Sequence, residues 1–193
     1  YAGYTFFAQQ HQVLTAQTEV NRNALRAIDL LKADIRMAGY LDYSDVNPMP
    51  SNQPITISNG NDLIVVYDDF DDQGVLYRAL IRYYLNSYTP ASGIQRQRLM
   101  REWRKCNNPS ALCALASSAP LYGQTGGEPI LDWVTAFSVE AANLKSSGTF
   151  SGQPQTVKAT LTIQSPQKID GSSKVVSKTF NVITRAKNVS LVP

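Results

Sequence analysis

The first forty residues contain no proline, and their only glycines are Gly3 and Gly39. This run predicts one long helix that stops at Gly39, a residue free to take the positive φ of a helix C-terminus. Two lines of residues seven apart mark a seam. One is Leu14, Asn21, Ile28 and Ile35; the other is Gln17, Ala24, Leu31 and Ala38. The seam is apolar mainly from Ala24 onward, and Leu25 widens it. The expected helix–sheet core is therefore Leu25, Ile28, Leu31 and Ile35. Glu19 with Arg22, and Arg26 with Asp29, are spaced to pair across one turn, with Arg22 and Arg26 facing solvent.

The length of this helix sets its placement. Forty residues rising 1.5 Å each make about 60 Å, whereas a compact chain of 193 residues has a radius of gyration of about 16 Å. A continuous helix cannot lie wholly inside such a globule. Its first half, residues 1 to about 23, is expected to project or to pack on another chain. Tyr4, Phe7, Val13 and Leu14 would then face a partner. The alternative is a broken helix that folds back.

After Asn47 the period changes. Pro48, Pro50 and Pro54 make a loop, and short alternating runs follow. Ile55–Ser58 and Leu63–Tyr67 flank Asn59-Gly60-Asn61, a hairpin turn by its chemistry. Tyr77, Ala79, Ile81, Tyr83 and Leu85 alternate with Arg78, Arg82 and Tyr84, as in a half-buried strand. Ile94–Arg104 is a basic strand. Ile130–Ala141 reads as one long strand with Trp133, Phe137 and Val139 on one face. Val157, Ala159, Leu161 and Ile163 alternate with polar residues, as do Val176, Phe180 and Val182, with Asp170-Gly171 in the turn between. The segment 143–156, rich in Asn, Ser and Gly, is the most flexible-looking connection. The chain thus divides into residues 1–46, helix and linker, and 47–193, an antiparallel β part. The fold class is α+β, with a long N-terminal helix packed on antiparallel sheet.

Composition limits the function classes. Hydrophobic residues at 43% and charged residues at 17% exclude a disordered chain. No apolar run is long enough to span a membrane as written, and a net charge of +3 is too small by itself to imply nucleic acid. With one histidine, His11, and two cysteines, a four-ligand Cys/His zinc site is not possible. No catalytic constellation is present, so the expectation is a non-enzyme without cofactor. The chain begins with Tyr1 rather than Met, as a processed or truncated product would.

Three clusters have competing explanations. Cys106 and Cys113 are close in sequence without other metal ligands nearby, which favours a disulfide in an oxidising compartment over two free thiols. Asp68, Asp69, Asp71 and Asp72 could hold calcium, but Leu80 stands where an EF-hand needs Glu; the alternative is an acidic, solvated turn. Arg96, Arg98, Arg101, Arg104 and Lys105 surround Trp103. They could hold a nucleic-acid backbone, guard an edge strand, or meet an acidic neighbouring subunit. Gly123–Glu128 lacks the Gly-Lys-Ser/Thr ending of a phosphate loop and reads as a plain loop, and Asn188-Val189-Ser190 matches a glycosylation sequon.

The run Ala27-Ile28-Asp29-Leu30-Leu31-Lys32-Ala33-Asp34-Ile35-Arg36-Met37-Ala38-Gly39-Tyr40 resembles the end of the first helix in PilW-type minor pilins of type IV pili. GspJ-type minor pseudopilins of type II secretion carry a similar helix end, and Asp34 to Tyr40 favours the PilW side. The Arg82-Tyr83-Tyr84-Leu85 strand, the later strand at Ile130–Val139 and the closing Thr184–Val189 follow in the family's order. The family's processed apolar start, of the type Gly-Phe-Thr-Leu-Ile-Glu, is absent. The resemblance implies a pilin-like fold and a structural subunit that helps initiate pilus assembly at or near the filament tip. It implies other minor pilins or pseudopilins as partners through the N-terminal helix, a tip adhesin as a further partner, and membrane contact through the missing segment. It implies an inner-membrane anchor with a periplasmic domain, and later a place in the pilus. A DNA-binding pilus subunit is the alternative from another class, and nucleic acid is not the favoured partner.

Overall fold

The computed structural model describes residues 2–40, 53–90, 95–106, 118–120, 127–148, 150–165 and 175–191. Its first element is a continuous helix, α1 (Ala2–Met37). Ala24, Ala27, Ile28, Leu31, Ile35 and Ala38 are buried on one side of it. Small alanines in this stripe let the helix lie close to the sheets, and the larger side chains fill the space between them. Gly39 ends the helix with φ of 75°, and its amide donates to the Val66 carbonyl at 2.9 Å, tying the helix end to the sheet. A Cβ at Gly39 would meet the Phe150 ring at 3.2 Å and Val189 at 3.3 Å.

The buried face differs from the expected core at Leu25, which is 54% exposed because it lies one residue, about 100°, round the helix from Ala24. Leu14, expected to face a partner, is 61% exposed, and burial runs on through Val20 and Ala16. The reason is geometric: a straight helix drifts by about 20° per heptad. A line of sevenths that faces the core at Ile28 and Ile35 has therefore turned away by Leu14. The globule consequently grips the helix from residue 16, earlier than expected.

Nine strands follow among the described residues, all antiparallel. β1 (Ile55–Ser58), β2 (Asp62–Phe70), β3 (Leu76–Tyr88) and β4 (Arg96–Cys106) form a meander. β5 (Ser118–Pro120) and β6 (Glu128–Asp132) both pair with the outer side of β4. β7 (Val134–Leu144), β8 (Pro154–Gln164) and β9 (Ser177–Arg185) make a second, three-stranded sheet. α1 lies against both, touching β2 and β6 of the first and β8 and β9 of the second. The β1–β2 turn has Asn59 at φ 52° and Gly60 at φ 68°, the left-handed pair of a type I′ turn, closed by Asn61 N donating to Ser58 O at 3.3 Å.

Several strands differ from the sequence expectation. Tyr77 to Ile81 are buried on both faces of β3, so Arg78 is not a solvent-facing residue but a core one, 2% exposed. Ile130–Ala141 is not one strand. It breaks at Trp133, where φ is 63°, and the chain passes there from the first sheet to the second. A left-handed tryptophan costs about 1–3 kcal/mol of backbone strain, but the break lets Leu131 and Val134, which flank it, enter one core. The connection between β7 and β8 is shorter and better held than expected. Lys145 N donates to Gln153 O at 2.9 Å, Gly152 N to Lys145 O at 2.8 Å, and Phe150 is buried in the core. A last helix, α2 (Lys187–Leu191), returns to the end of α1. There the Asn188 side-chain amide donates to the carbonyls of Arg36 at 3.2 Å and Met37 at 3.3 Å. The asparagine of the sequon thus serves as a cap for α1.

Candidate functional site

The projecting part of α1 is the most distinctive surface. Residues 4–12 are all exposed, with Tyr4 at 81%, Phe6 at 58% and Phe7 at 72%. Val13 is half-buried. The fourteen residues ahead of Ala16 correspond to about 21 Å of helix clear of the globule. Phe6 and Phe7 meet edge to face, with centroids 5.9 Å apart. Residues 1–18 include no Asp, Glu, Lys or Arg; the first charged side chain is Glu19. Thr15 and Thr18 return their hydroxyls to the carbonyls of His11 at 2.9 Å and Leu14 at 2.8 Å. The projecting surface is thus neutral, aromatic and amide-rich. It can bury area against a partner without desolvating a charge. Arg22 and Arg26 are exposed as expected, but neither is among the ion pairs of the described residues.

What anchors this helix was not found from sequence. Asp34 lies on the buried side of α1, 5% exposed. Arg101 of β4 donates to it from Nε at 2.9 Å and Nη2 at 3.1 Å. Tyr67 of β2 donates to the same carboxylate at 3.2 Å, and Tyr83 of β3 donates to its other oxygen. Three neighbouring strands therefore converge on one helix residue. Burial first, and then the Asp34 charge, push both tyrosine hydroxyls above their ordinary pKa. Burial opposes charge on Arg101, but hydrogen bonding to Asp34 and its charge prevail and raise it. Every partner around the carboxylate is spoken for, so the cluster positions the helix rather than presenting a free acid or base. An acidic residue beside Ile35 and Leu31 in an apolar stripe was the available signal.

Arg101 therefore does not belong to a surface basic patch. Arg104 is tied to Glu102 at 2.5 Å, and Lys105 to Asp71 at 3.3 Å. Arg96 and Arg98 enter no ion pair among the described residues and stack on rings instead, Arg96 over Trp133 at 4.5 Å and Arg98 over Tyr88 at 4.5 Å. β4 is also not an unguarded edge, since β3 pairs on one side and β5 and β6 on the other. The five basic residues thus have three different tasks, and no continuous cationic track results.

The aspartate cluster disperses in the same way. Asp68 and Arg78 form a buried pair at 2.8 Å and 3.2 Å on the sheet face away from α1. Asp69 accepts from the Phe70 amide at 2.9 Å. Asp71 accepts the amides of Gln73 at 3.1 Å and Val75 at 2.8 Å, shaping the β2–β3 turn. The Val75 amide foremost holds the Asp71 carboxyl below its usual range. Asp72 is exposed. Strand alternation sends Asp68 and Asp69 to opposite faces, and no group of three or more metal-ligating side chains occurs among the described residues. The described aspartates thus shape a turn and meet Arg78 and Lys105 rather than converging on one point. Cys106, at the end of β4, is disulfide-bonded; Cys113, Gly123 to Gly126, the Asp170-Gly171 turn and the 46/47 boundary lie outside the described residues.

Comparison with known proteins found no matching family model, no matching curated protein and no matching solved structure. The α+β architecture, with an N-terminal helix on antiparallel sheets, stands on the coordinates alone. No helix of the described residues is long and apolar enough to cross a membrane.

Proposed function

We propose that the chain is a non-catalytic assembly subunit of the minor pilin type, whose N-terminal helix packs among the helices of neighbouring subunits. The observation that carries this reading is the projecting end of α1. About 21 Å of helix displays Tyr4, Phe6, Phe7 and Leu14 to solvent with no charged side chain before Glu19. Exposed aromatics on a rigid rod gain by burial, and the rod has no counterpart among the described residues of its own chain. The buried Asp34–Arg101 pair supports the reading, because a helix used as a lever must be fixed to its globule. The disulfide at Cys106 fits an extracytoplasmic setting. A filament tip position, and priming of assembly with other minor pilins, belong to the same proposal. A pseudopilin of type II secretion would use the same helix with different partners.

The test replaces Phe7 and Leu14 with Asp in the gene in its native host. Filament number should fall sharply, while the purified variant chain keeps its melting temperature. Unchanged filament number and unchanged protein secretion would together refute helix-mediated assembly. Loss of secretion alone would move the chain to the pseudopilin group.

A further inference from the structure

Trp133 stands at the crossover between the sheets, in a left-handed conformation, and borders a groove to which α1 contributes no residue among those described. This groove has a volume of about 330 Å³, at the small end of small-molecule sites. One wall is the end of the β3–β4 pair, with Ser87, Gln95, Arg96 and Gln97; the other is Thr135 with Gln164. Among the described residues the lining contains no carboxylate, and its charged member is Arg96. That guanidinium lies on the Trp133 ring at 4.5 Å. Its Nε, itself shielded from solvent, has no hydrogen-bond partner among the described residues, and Arg96 enters none of the ion pairs of the described residues. Arg98, two residues along the same strand face, is likewise stacked, and enters no ion pair among the described residues. The nearby Asp132 is engaged by the Tyr88 hydroxyl.

We propose that this groove binds an acidic saccharide, a sugar ring bearing a carboxylate. A planar guanidinium held flat on an indole is a preorganised fork for a carboxylate. The rest of the described lining is mostly polar and uncharged, with Gln95, Gln97, Gln164, Ser87 and Thr135, a composition that suits sugar hydroxyls. An acidic peptide fits less well, because its side chains need apolar pockets and Val134 is the one aliphatic residue in the lining. Duplex DNA fits less well, because Arg101, Arg104 and Lys105 are already neutralised. The proposal stands independently of helix-mediated assembly, since none of these residues lies on α1.

The experiment titrates the intact chain with trigalacturonate, following tryptophan fluorescence and heat. Saturable binding is expected below about 1 mM, at least tenfold weaker for the trigalacturonate methyl ester, which keeps the ring and removes the charge. Arg96→Gln should weaken binding at least tenfold, and Lys158→Gln, on an exposed lysine outside the groove, should leave it unchanged. If Arg96→Gln lowers the melting temperature, Gln97→Ala provides the second variant, with the cation kept. No saturable binding, equal binding of the ester, or binding untouched by both groove variants overturns the proposal. Tighter binding of tetraglutamate or of a DNA duplex also overturns it.

Discussion

Replacing Asp34 with Ala should be among the most damaging single changes in this chain. The carboxylate receives two hydrogen bonds from Arg101 and one each from Tyr67 and Tyr83, with Asp34 and Arg101 exposed by only 5% and 8%. Without it the guanidinium is left as an uncompensated buried charge, which costs about 3–5 kcal/mol. Two tyrosine hydroxyls also lose their acceptor, so the loss should reach about 4 kcal/mol or more. Against a typical domain stability of about 5–15 kcal/mol, that is a large share. The paired replacement Asp34→Leu with Arg101→Met removes both charges together. It should cost at least about 2 kcal/mol less than the two single changes summed. Urea unfolding followed by circular dichroism measures the wild type, Asp34→Ala, the singles Asp34→Leu and Arg101→Met, and their double, with Asp29→Ala, on the exposed side of α1, as a near-neutral control. If Asp34→Ala costs under about 1 kcal/mol, or if the double variant equals the sum of the singles, the cluster does not anchor the helix.

The two faces of α1 should separate cleanly: Ile28→Ala should lose about 2–5 kcal/mol, and Leu25→Ala no more than about 0.5 kcal/mol, in the same unfolding assay. Gly127 has φ of 72°, and a Cβ there would come within 2.7 Å of the Arg101 carbonyl oxygen; Gly127→Ala should therefore cost more than about 1 kcal/mol. Because Tyr67 and Tyr83 are raised above the ordinary value of 10.0 in the fold, the folded chain holds those protons more tightly than the unfolded one. Their contribution is full below about pH 10 and declines as pH rises beyond it, by up to about 1.4 kcal/mol per pH unit for each tyrosine. Denaturation series across that range should show a shallower decline in Tyr67→Phe.

The helix was legible because its cause is local: a proline-free run with an apolar stripe and a glycine stop needs no tertiary information. The hairpin at Asn59-Gly60 and the inward face of Val157 to Ile163 were legible for the same reason, through turn chemistry and a period of two. What escaped depends on contacts distant in sequence. Ile130–Ala141 carries apolar residues throughout, and nothing local says that Trp133 will turn left-handed so that two sheets can share one core. Arg101 looked like its basic neighbours, because its partner sits 67 positions away on α1. Leu25 entered the expected core because the apolar stripe was drawn one residue too wide; it lies about 100° round the helix from Ala24 and is exposed. The projecting surface was legible in outline, and the sugar-sized groove at Trp133 was not, since β3, β4, β7 and β8 each supply part of it.

Photocrosslinking in living cells tests the assembly proposal most directly. A benzophenone amino acid replaces Phe7 in one strain and Lys158, an exposed residue on the face of β8, in another. Helix-mediated packing predicts that position 7 crosslinks to the N-terminal helix of another subunit during assembly, and that position 158 does not. Crosslinks from position 7 that reach only lipid or its own chain, under conditions where filaments or the secretion apparatus assemble, would contradict it.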